Sequence, residues 1–104
     1  MKPVLDIVIP CYNEEEVLPL TSKLFLNELK KLIADELVNE NSKILFVDDG
    51  SKDRTWELIE QLSKEDPHYT GISLAHNRGH QNALTAGLLE AKQDCDITIS
   101  IDCD

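Results

Sequence analysis

Basic residues are scarce in this chain. Lysine and arginine together number 10 against 20 aspartates and glutamates, which gives a formal net charge of −10 at pH 7. Nucleic acids and anionic membrane surfaces select proteins with dense Lys and Arg, so neither is expected as the main partner. A phosphate-bearing ligand would need a positive field from helix N-termini or from a bound metal ion.

Cysteine and long apolar runs are scarce as well. The cysteines, Cys11, Cys95 and Cys103, are odd in number and form no C-x-x-C pair, which argues against a disulfide framework and against a zinc site. We therefore expect a reducing, cytoplasmic setting. No apolar run approaches the roughly 20 residues of a membrane span. The first residues also lack the basic and then apolar pattern of a signal peptide.

What is present is an alternation of short β-forming runs with longer amphipathic runs, in 104 residues of which 41% are hydrophobic. Predicted strands cover residues 5–10, 43–47, 70–75 and 97–101. Predicted helices cover residues 19–37, a segment capped by Ser51 or Asp53, and a segment opened by Asn77 and Gly79. With right-handed crossovers, about four parallel strands and three helices form the first half of a doubly wound α/β sheet.

The residues that interrupt this rhythm follow the predicted strands, at the edge where open α/β sheets bind ligands. They are residues 10–15, 48–51, 76–80 and 102–104. Asp102 and Asp104 lie two apart after an extended run, so their carboxylates can face the same side and suit Mg²⁺ or Mn²⁺. A solvated acidic strand end has the same spacing, and the spacing alone leaves both interpretations open.

The first loop also offers Asn13, a good N-cap with Glu16 three residues later, as in a capping box, for one short turn that precedes the helix predicted from residue 19. Asp48, Asp49, Gly50 and Ser51 fit either a ligand-binding loop or an ordinary strand-to-helix turn. The G-x-G-x-x-G turn and the G-x-x-x-x-G-K-[ST] loop do not follow the first strand, so neither a Rossmann dehydrogenase nor a P-loop enzyme is supported.

Four segments in register resemble glycosyltransferase family 2, whose members have the GT-A fold. They are residues 7–15 (IVIPCYNEE), 47–55 (VDDGSKDRT), 77–88 (NRGHQNALTAGL) and 102–104 (DCD). The pairing of the second segment with the third is most similar to the branch of dolichyl-phosphate mannosyltransferases and bacterial polyprenyl-phosphate glycosyltransferases.

The resemblance implies a Rossmann-like half of a GT-A fold. It also implies metal-dependent transfer of a sugar, with inversion, from a uridine or guanosine diphosphate sugar to an acceptor such as polyprenyl phosphate. The residues that it implies for nucleotide-sugar binding are Pro10, Tyr12, Glu14, Asp48, Asp49, Arg78 and Asp102. Those that it implies for Mg²⁺ or Mn²⁺ are Asp104 and Asp102.

By the same resemblance, residues 1–104 are the N-terminal, nucleotide-sugar-binding part of a catalytic domain. The acceptor site, the general base and any membrane helices are expected beyond residue 104, so no catalytic residue is assigned here. Membrane contact, at the cytoplasmic face, is expected only through those parts. We expect little or no transferase activity from the segment alone.

Other classes of protein remain as alternatives. They are a non-catalytic nucleotide-sugar-binding module and a degenerate interaction domain that meets a basic partner. A sugar-phosphate nucleotidyltransferase would carry a glycine-rich, basic loop where residues 11–15 read CYNEE. An unpaired sheet edge also predicts a homodimer.

Overall fold

One sheet of four parallel strands organises the chain. The computed structural model describes residues 2–74 and 96–100. The elements are β1 (Leu5–Cys11), α1 (Leu18–Ala34), β2 (Lys43–Asp48), α2 (Thr55–Glu65), β3 (Tyr69–Ser73) and β4 (Ile97–Ser100). The strand order β3-β2-β1-β4 confirms the predicted parallel α/β sheet. The predicted third helix lies outside the described residues.

The register of the ladder sets the strand ends against one another. Pro10 pairs with Val47 and Cys11 with Asp48, while Asp48 in turn pairs with Ser73. The carboxyl ends of β1, β2 and β3 therefore meet at one edge of the sheet. The loops that follow β1 and β2 start from neighbouring positions on this edge.

Strands β1 and β2 are buried on both faces of the sheet, since successive side chains of a strand point to opposite sides and nearly all of those on these two strands are buried. The cluster beneath the helices includes Leu18, Leu29 and Ile59 from α1 and α2, with Ile9 and Phe46 from the strands. The cluster on the other face contains Val8, Leu45 and Val47, with Ile72 and Leu74 packed against them. Burial on both faces is typical of doubly wound parallel sheets.

Helix α1 ends earlier than the predicted residue 37, because Glu36 leaves the helix with a left-handed φ of 61°. The Glu36 N–H donates to the Ile33 carbonyl and the Leu37 N–H to the Leu32 carbonyl, each at 3.0 Å. These two bonds form a Schellman motif, in which the left-handed position is usually glycine. A glutamate at that position gave no stop signal in the sequence.

Helix α2 packs closely on β3 at a position without a side chain. A Cβ added to Gly71 would overlap the Cγ2 atom of Ile59 and would lie 3.3 Å from Cζ3 of Trp56. Gly71 therefore lets α2 approach the sheet closely. Within the described residues, no helix is long and apolar enough to cross a bilayer.

Candidate functional site

Two loops at the carboxyl edge of the sheet form the candidate site, which we call the rim. The first loop (residues 12–17) follows β1, and the second loop (residues 49–54) follows β2. The Asp49 N–H donates to the Cys11 carbonyl at 2.9 Å, and the Leu74 N–H donates to the Asp48 carbonyl at 2.8 Å. These bonds extend the ladder beyond the strands and fix where each loop leaves the sheet.

The structure brings five of the predicted binding residues to this rim. Tyr12 is 37% exposed, whereas Asp48 and Asp49 are only 2% and 4% exposed. Pro10 is buried and Glu14 is half-buried. The remaining predicted residues, Arg78, Asp102 and Asp104, lie outside the described residues.

Asn13 and Ser51 join the two loops. The Asn13 N–H donates to the Ser51 hydroxyl at 2.9 Å, and that hydroxyl donates to the carboxylate of Asp48. In the opposite direction, the Lys52 N–H donates to the Asn13 side-chain oxygen at 2.8 Å. Asn13 has a left-handed φ of 54°, which asparagine tolerates better than most residues.

Asp53 and Thr55 make a second connection of the same kind. The Glu14 N–H donates to the Thr55 hydroxyl at 2.8 Å, and that hydroxyl donates to Asp53 Oδ1 at 2.5 Å. The other oxygen of Asp53 accepts the Glu15 N–H at 3.2 Å. Asp53 Oδ1 also accepts the Thr55 N–H at 2.9 Å. The N-cap of α2 is Arg54, without a side-chain hydrogen bond, so the predicted cap by Ser51 or Asp53 is not observed.

Asn13 was predicted to cap a short turn ahead of the helix expected from residue 19, but its side-chain oxygen accepts the Lys52 N–H of the second loop instead. Helix α1 starts at Leu18 with Val17 as its N-cap, and the cap has no side-chain hydrogen bond. The amides of Asn13, Glu14 and Glu15 are bonded to side chains of the second loop and of α2 instead. These amides already have partners, so they are poor candidates for the helix-end phosphate site that the sequence suggested.

The backbone of the second loop matches the turn interpretation of its sequence. Gly50 has a φ of 75°, a left-handed value that a glycine adopts without strain. The turn connects the buried Asp48 and Asp49 to Ser51, and the Ser51 N–H donates to Asp48 Oδ1 at 3.3 Å. Turn geometry and an acidic site therefore coexist in one loop.

Burial and charge act on the acids of the rim. Burial raises the pKa of Asp48 above 3.8; hydrogen bonds from Ser51 oppose this, and the charges of Asp53 and Asp49 add to it. Burial also acts to raise the pKa of Asp53, but hydrogen bonds from Thr55 and Glu15 outweigh it and hold that pKa below 3.8. Asp53 is therefore a firmly ionised anchor for both loops.

Across residues 2–74 and 96–100, no group of three or more His, Cys, Asp or Glu side chains is placed to hold a metal ion. The predicted metal residues, Asp102 and Asp104, fall outside these ranges. The strand that leads to them, β4, pairs with β1 up to Ser100 opposite Val8.

The roles of Ser51, Asp53 and Thr55 between the loops were not foreseen. Short polar side chains two residues apart after a strand do favour local turns and caps, which is how Ser51 and Asp53 were interpreted. Their partners in the first loop lie 38 to 41 residues away along the chain. Such partners are set by the register of β1 against β2, which local sequence does not encode.

The fold and the rim define a Rossmann-like half of a GT-A fold, as predicted. The glycosyl transferase family 2 profile matches residues 6–104, and the chain belongs to this family. The uncharacterized glycosyltransferase YkoT of Bacillus subtilis is 55% identical over 103 residues, covering 99% of this chain and 31% of that protein. An undecaprenyl-phosphate 4-deoxy-4-formamido-L-arabinose transferase of Proteus mirabilis is 35% identical over 101 residues, covering 96% and 28%.

A solved structure supports the fold. The mannosyltransferase of Pyrobaculum calidifontis, determined in complex with GDP-Man and Mn²⁺, superimposes with a TM-score of 0.67 at 21% identity. The match covers 100% of this chain and 28% of the mannosyltransferase. The chain thus spans about a third of the length of the curated relatives that it matches.

Proposed function

We propose that residues 1–104 form the nucleotide-sugar-binding part of an inverting, metal-dependent glycosyltransferase. The observation that carries this proposal is the meeting of Pro10, Tyr12 and Glu14 with Asp48 and Asp49 at one edge of the sheet. These residues come from the two segments that resemble the nucleotide-contacting loops of the family. Parallel α/β sheets bind ligands at this edge.

The rim suits the base and ribose of a nucleotide diphosphate, but its acids repel the diphosphate. Tyr12 offers an exposed ring, and the carboxylates of Asp48 and Asp49 are acceptors for the N–H groups of a base or the hydroxyls of a ribose. These acids repel the diphosphate, so we propose that Arg78 and a divalent cation neutralise it. We assign donor binding to these residues, and not proton transfer.

A hard divalent cation fits the donor set that the sequence offers. Asp102 and Asp104 provide carboxylate oxygens, the ligands that Mg²⁺ and Mn²⁺ prefer. A cation held by Asp102 and Asp104 would stabilise the negative charge that develops on the departing diphosphate. The Mn²⁺ and GDP-Man of the Pyrobaculum mannosyltransferase support this assignment.

The acceptor is proposed to be a polyprenyl phosphate, because the Proteus relative is named for transfer to undecaprenyl phosphate. The complete enzyme would then act at the cytoplasmic face of a membrane. The donor base, uridine or guanosine, is the part of the proposal that the next experiment decides.

Isothermal titration calorimetry of the chain with UDP and GDP, with and without Mn²⁺, tests the donor site. Asp49→Asn is expected to weaken binding roughly 10-fold to 100-fold, the range for losing a hydrogen bond to a charged group. Asp104→Asn is expected to abolish the effect of Mn²⁺. Asp35→Asn, an exposed acid at the end of α1, is the matched control and is expected to bind like the parent chain.

Two results would contradict the proposal. If the folded parent chain bound neither nucleotide, the donor-binding assignment would fail and the interaction-domain alternative would lead. If one nucleotide bound equally well with and without Mn²⁺, the metal assignment to Asp102 and Asp104 would fail.

A further inference from the structure

The first loop is held in place from outside itself. Three successive amides, those of Asn13, Glu14 and Glu15, all donate to side-chain oxygens that follow β2. The loop makes no regular helix until Leu18. Its conformation between Tyr12 and Glu15 therefore depends on Ser51, Asp53 and Thr55.

The oxygens that hold this loop are themselves fixed. The hydroxyls of Ser51 and Thr55 each accept from a loop amide and donate to a carboxylate, so each hydrogen atom has a defined direction. Thr55 is fully buried at the start of α2, and its side chain is anchored by that helix. Asp53 is held ionised by its hydrogen bonds, as its lowered pKa indicates.

We propose that Ser51, Asp53 and Thr55 are positioning residues that set the first loop, and with it Tyr12 and Glu14, in the conformation that binds the nucleotide. The inference rests on the proposed function. These three side chains act on the nucleotide site indirectly, by holding the amides of residues 13–15. The predicted nucleotide contacts Tyr12 and Glu14 belong to the same stretch of the loop. A loop ordered before binding loses less conformational freedom when the ligand arrives, so affinity rises without any new ligand contact.

Thr55→Val tests this most cleanly, because valine keeps the shape of the buried side chain and removes only the hydroxyl. It leaves the Glu14 N–H and one oxygen of Asp53 without this partner, and we expect nucleotide affinity to fall roughly tenfold. Thr55→Ser restores the hydroxyl and is expected to restore most of the affinity. Thr70→Val is the matched control, since its hydroxyl bonds only a strand carbonyl, that of Ile44, and lies outside both loops.

Two readouts separate positioning from a general loss of stability. Amide hydrogen exchange is expected to accelerate at residues 13–15 in Thr55→Val, while the amides of β1 exchange as in the parent chain. Calorimetry with UDP and GDP then reports affinity for the parent chain and the three variants, each checked for folding by its thermal midpoint.

The outcomes are distinct. The inference is supported if the parent chain binds a nucleotide, Thr55→Val weakens that binding and Thr55→Ser restores it. If the parent chain binds a nucleotide and Thr55→Val leaves that binding unchanged, the inference is overturned while the proposed function stands. If the parent chain binds neither nucleotide, the proposed function fails and the inference fails with it.

Discussion

Because α2 packs closely on β3, Gly71→Ala is a sensitive test of how this helix, which follows the second loop, is held against the sheet. A Cβ at position 71 overlaps the Cγ2 atom of Ile59, which is only 1% exposed and has no room to withdraw. Overpacking of this kind typically costs about 1–3 kcal/mol. For a domain of this size, that lowers the thermal midpoint by roughly 4–8 °C per kcal/mol.

Ile59→Ala supplies the second arm of a double-mutant cycle. Alone, it removes a buried side chain and should cost about 2–5 kcal/mol. In that background, the methyl group that Gly71→Ala introduces enters the vacated space, so the glycine substitution becomes neutral or stabilising. We expect a coupling energy of about 1–3 kcal/mol that favours the pair.

Urea unfolding followed by the fluorescence of Trp56, the single tryptophan, measures each variant. Ser73→Ala, an exposed position on the same strand, is the control and should change stability by less than about 0.5 kcal/mol. Additive effects of Gly71→Ala and Ile59→Ala would refute the reasoning, because the two side chains would then not share one space.

The remaining predictions concern stability. Glu36→Gly should stabilise the chain by about 1 kcal/mol, because the left-handed φ of 61° suits glycine. The control, Glu28→Gly within α1, should instead cost about 1 kcal/mol. Equal effects of the two substitutions on thermal unfolding would argue against the Schellman motif at the end of α1. Burial acts to raise the pKa of Asp66, but hydrogen bonds from His68 and Lys30 outweigh it and hold that pKa below 3.8. Its stabilisation is therefore full above pH 3.8 and is lost as pH falls through the lower folded value. Asp66→Asn should be less stable than the parent at pH 7, with the gap closing below pH 3.8 in urea titrations; a gap independent of pH would contradict this.

Much of the sheet was predictable because each strand is a short apolar run bounded by polar residues. Residues 43–47 were expected as a strand, and β2 runs from Lys43 to Asp48. Phe25 and Leu29 lie four residues apart, the spacing of one helix face, and in the structure Leu29 lies in the cluster beneath the helices with Phe25 packed against it. These features depend on local pattern, which a sequence displays directly.

The predicted start of α1, residue 19, lies within one residue of the observed start at Leu18. The contacts of Asn13 before the helix were not predictable, because its amide and side chain bond Ser51 and Lys52 although it has the composition of a cap. The end of α1 was not predictable either, since Glu36 occupies a position where glycine would have marked the stop. In both cases a tertiary contact or a strained backbone outweighed the preference of the residue.

The candidate site likewise has features that the sequence predicts and features that only the folded chain shows. The positions of Tyr12, Asp48 and Asp49 at one edge follow from strands ending in parallel, so the rim was predictable. The hydrogen bonds of Ser51 and Thr55 to the first loop cross 38 and 41 residues, and they depend on the register of β1 against β2. That register becomes visible only in the folded chain.

The central claim is that the nucleotide binds at the rim. The most direct test is a titration of the ¹⁵N-labelled chain with UDP and GDP in the presence of Mg²⁺, followed by amide NMR shifts. Saturable shifts are expected at Tyr12, Glu14 and Asp49, with one of the two nucleotides preferred. Shifts confined to the groove between α1 and α2, lined by Leu26, Leu58 and Leu62, would contradict it. So would the absence of any shift in a folded chain.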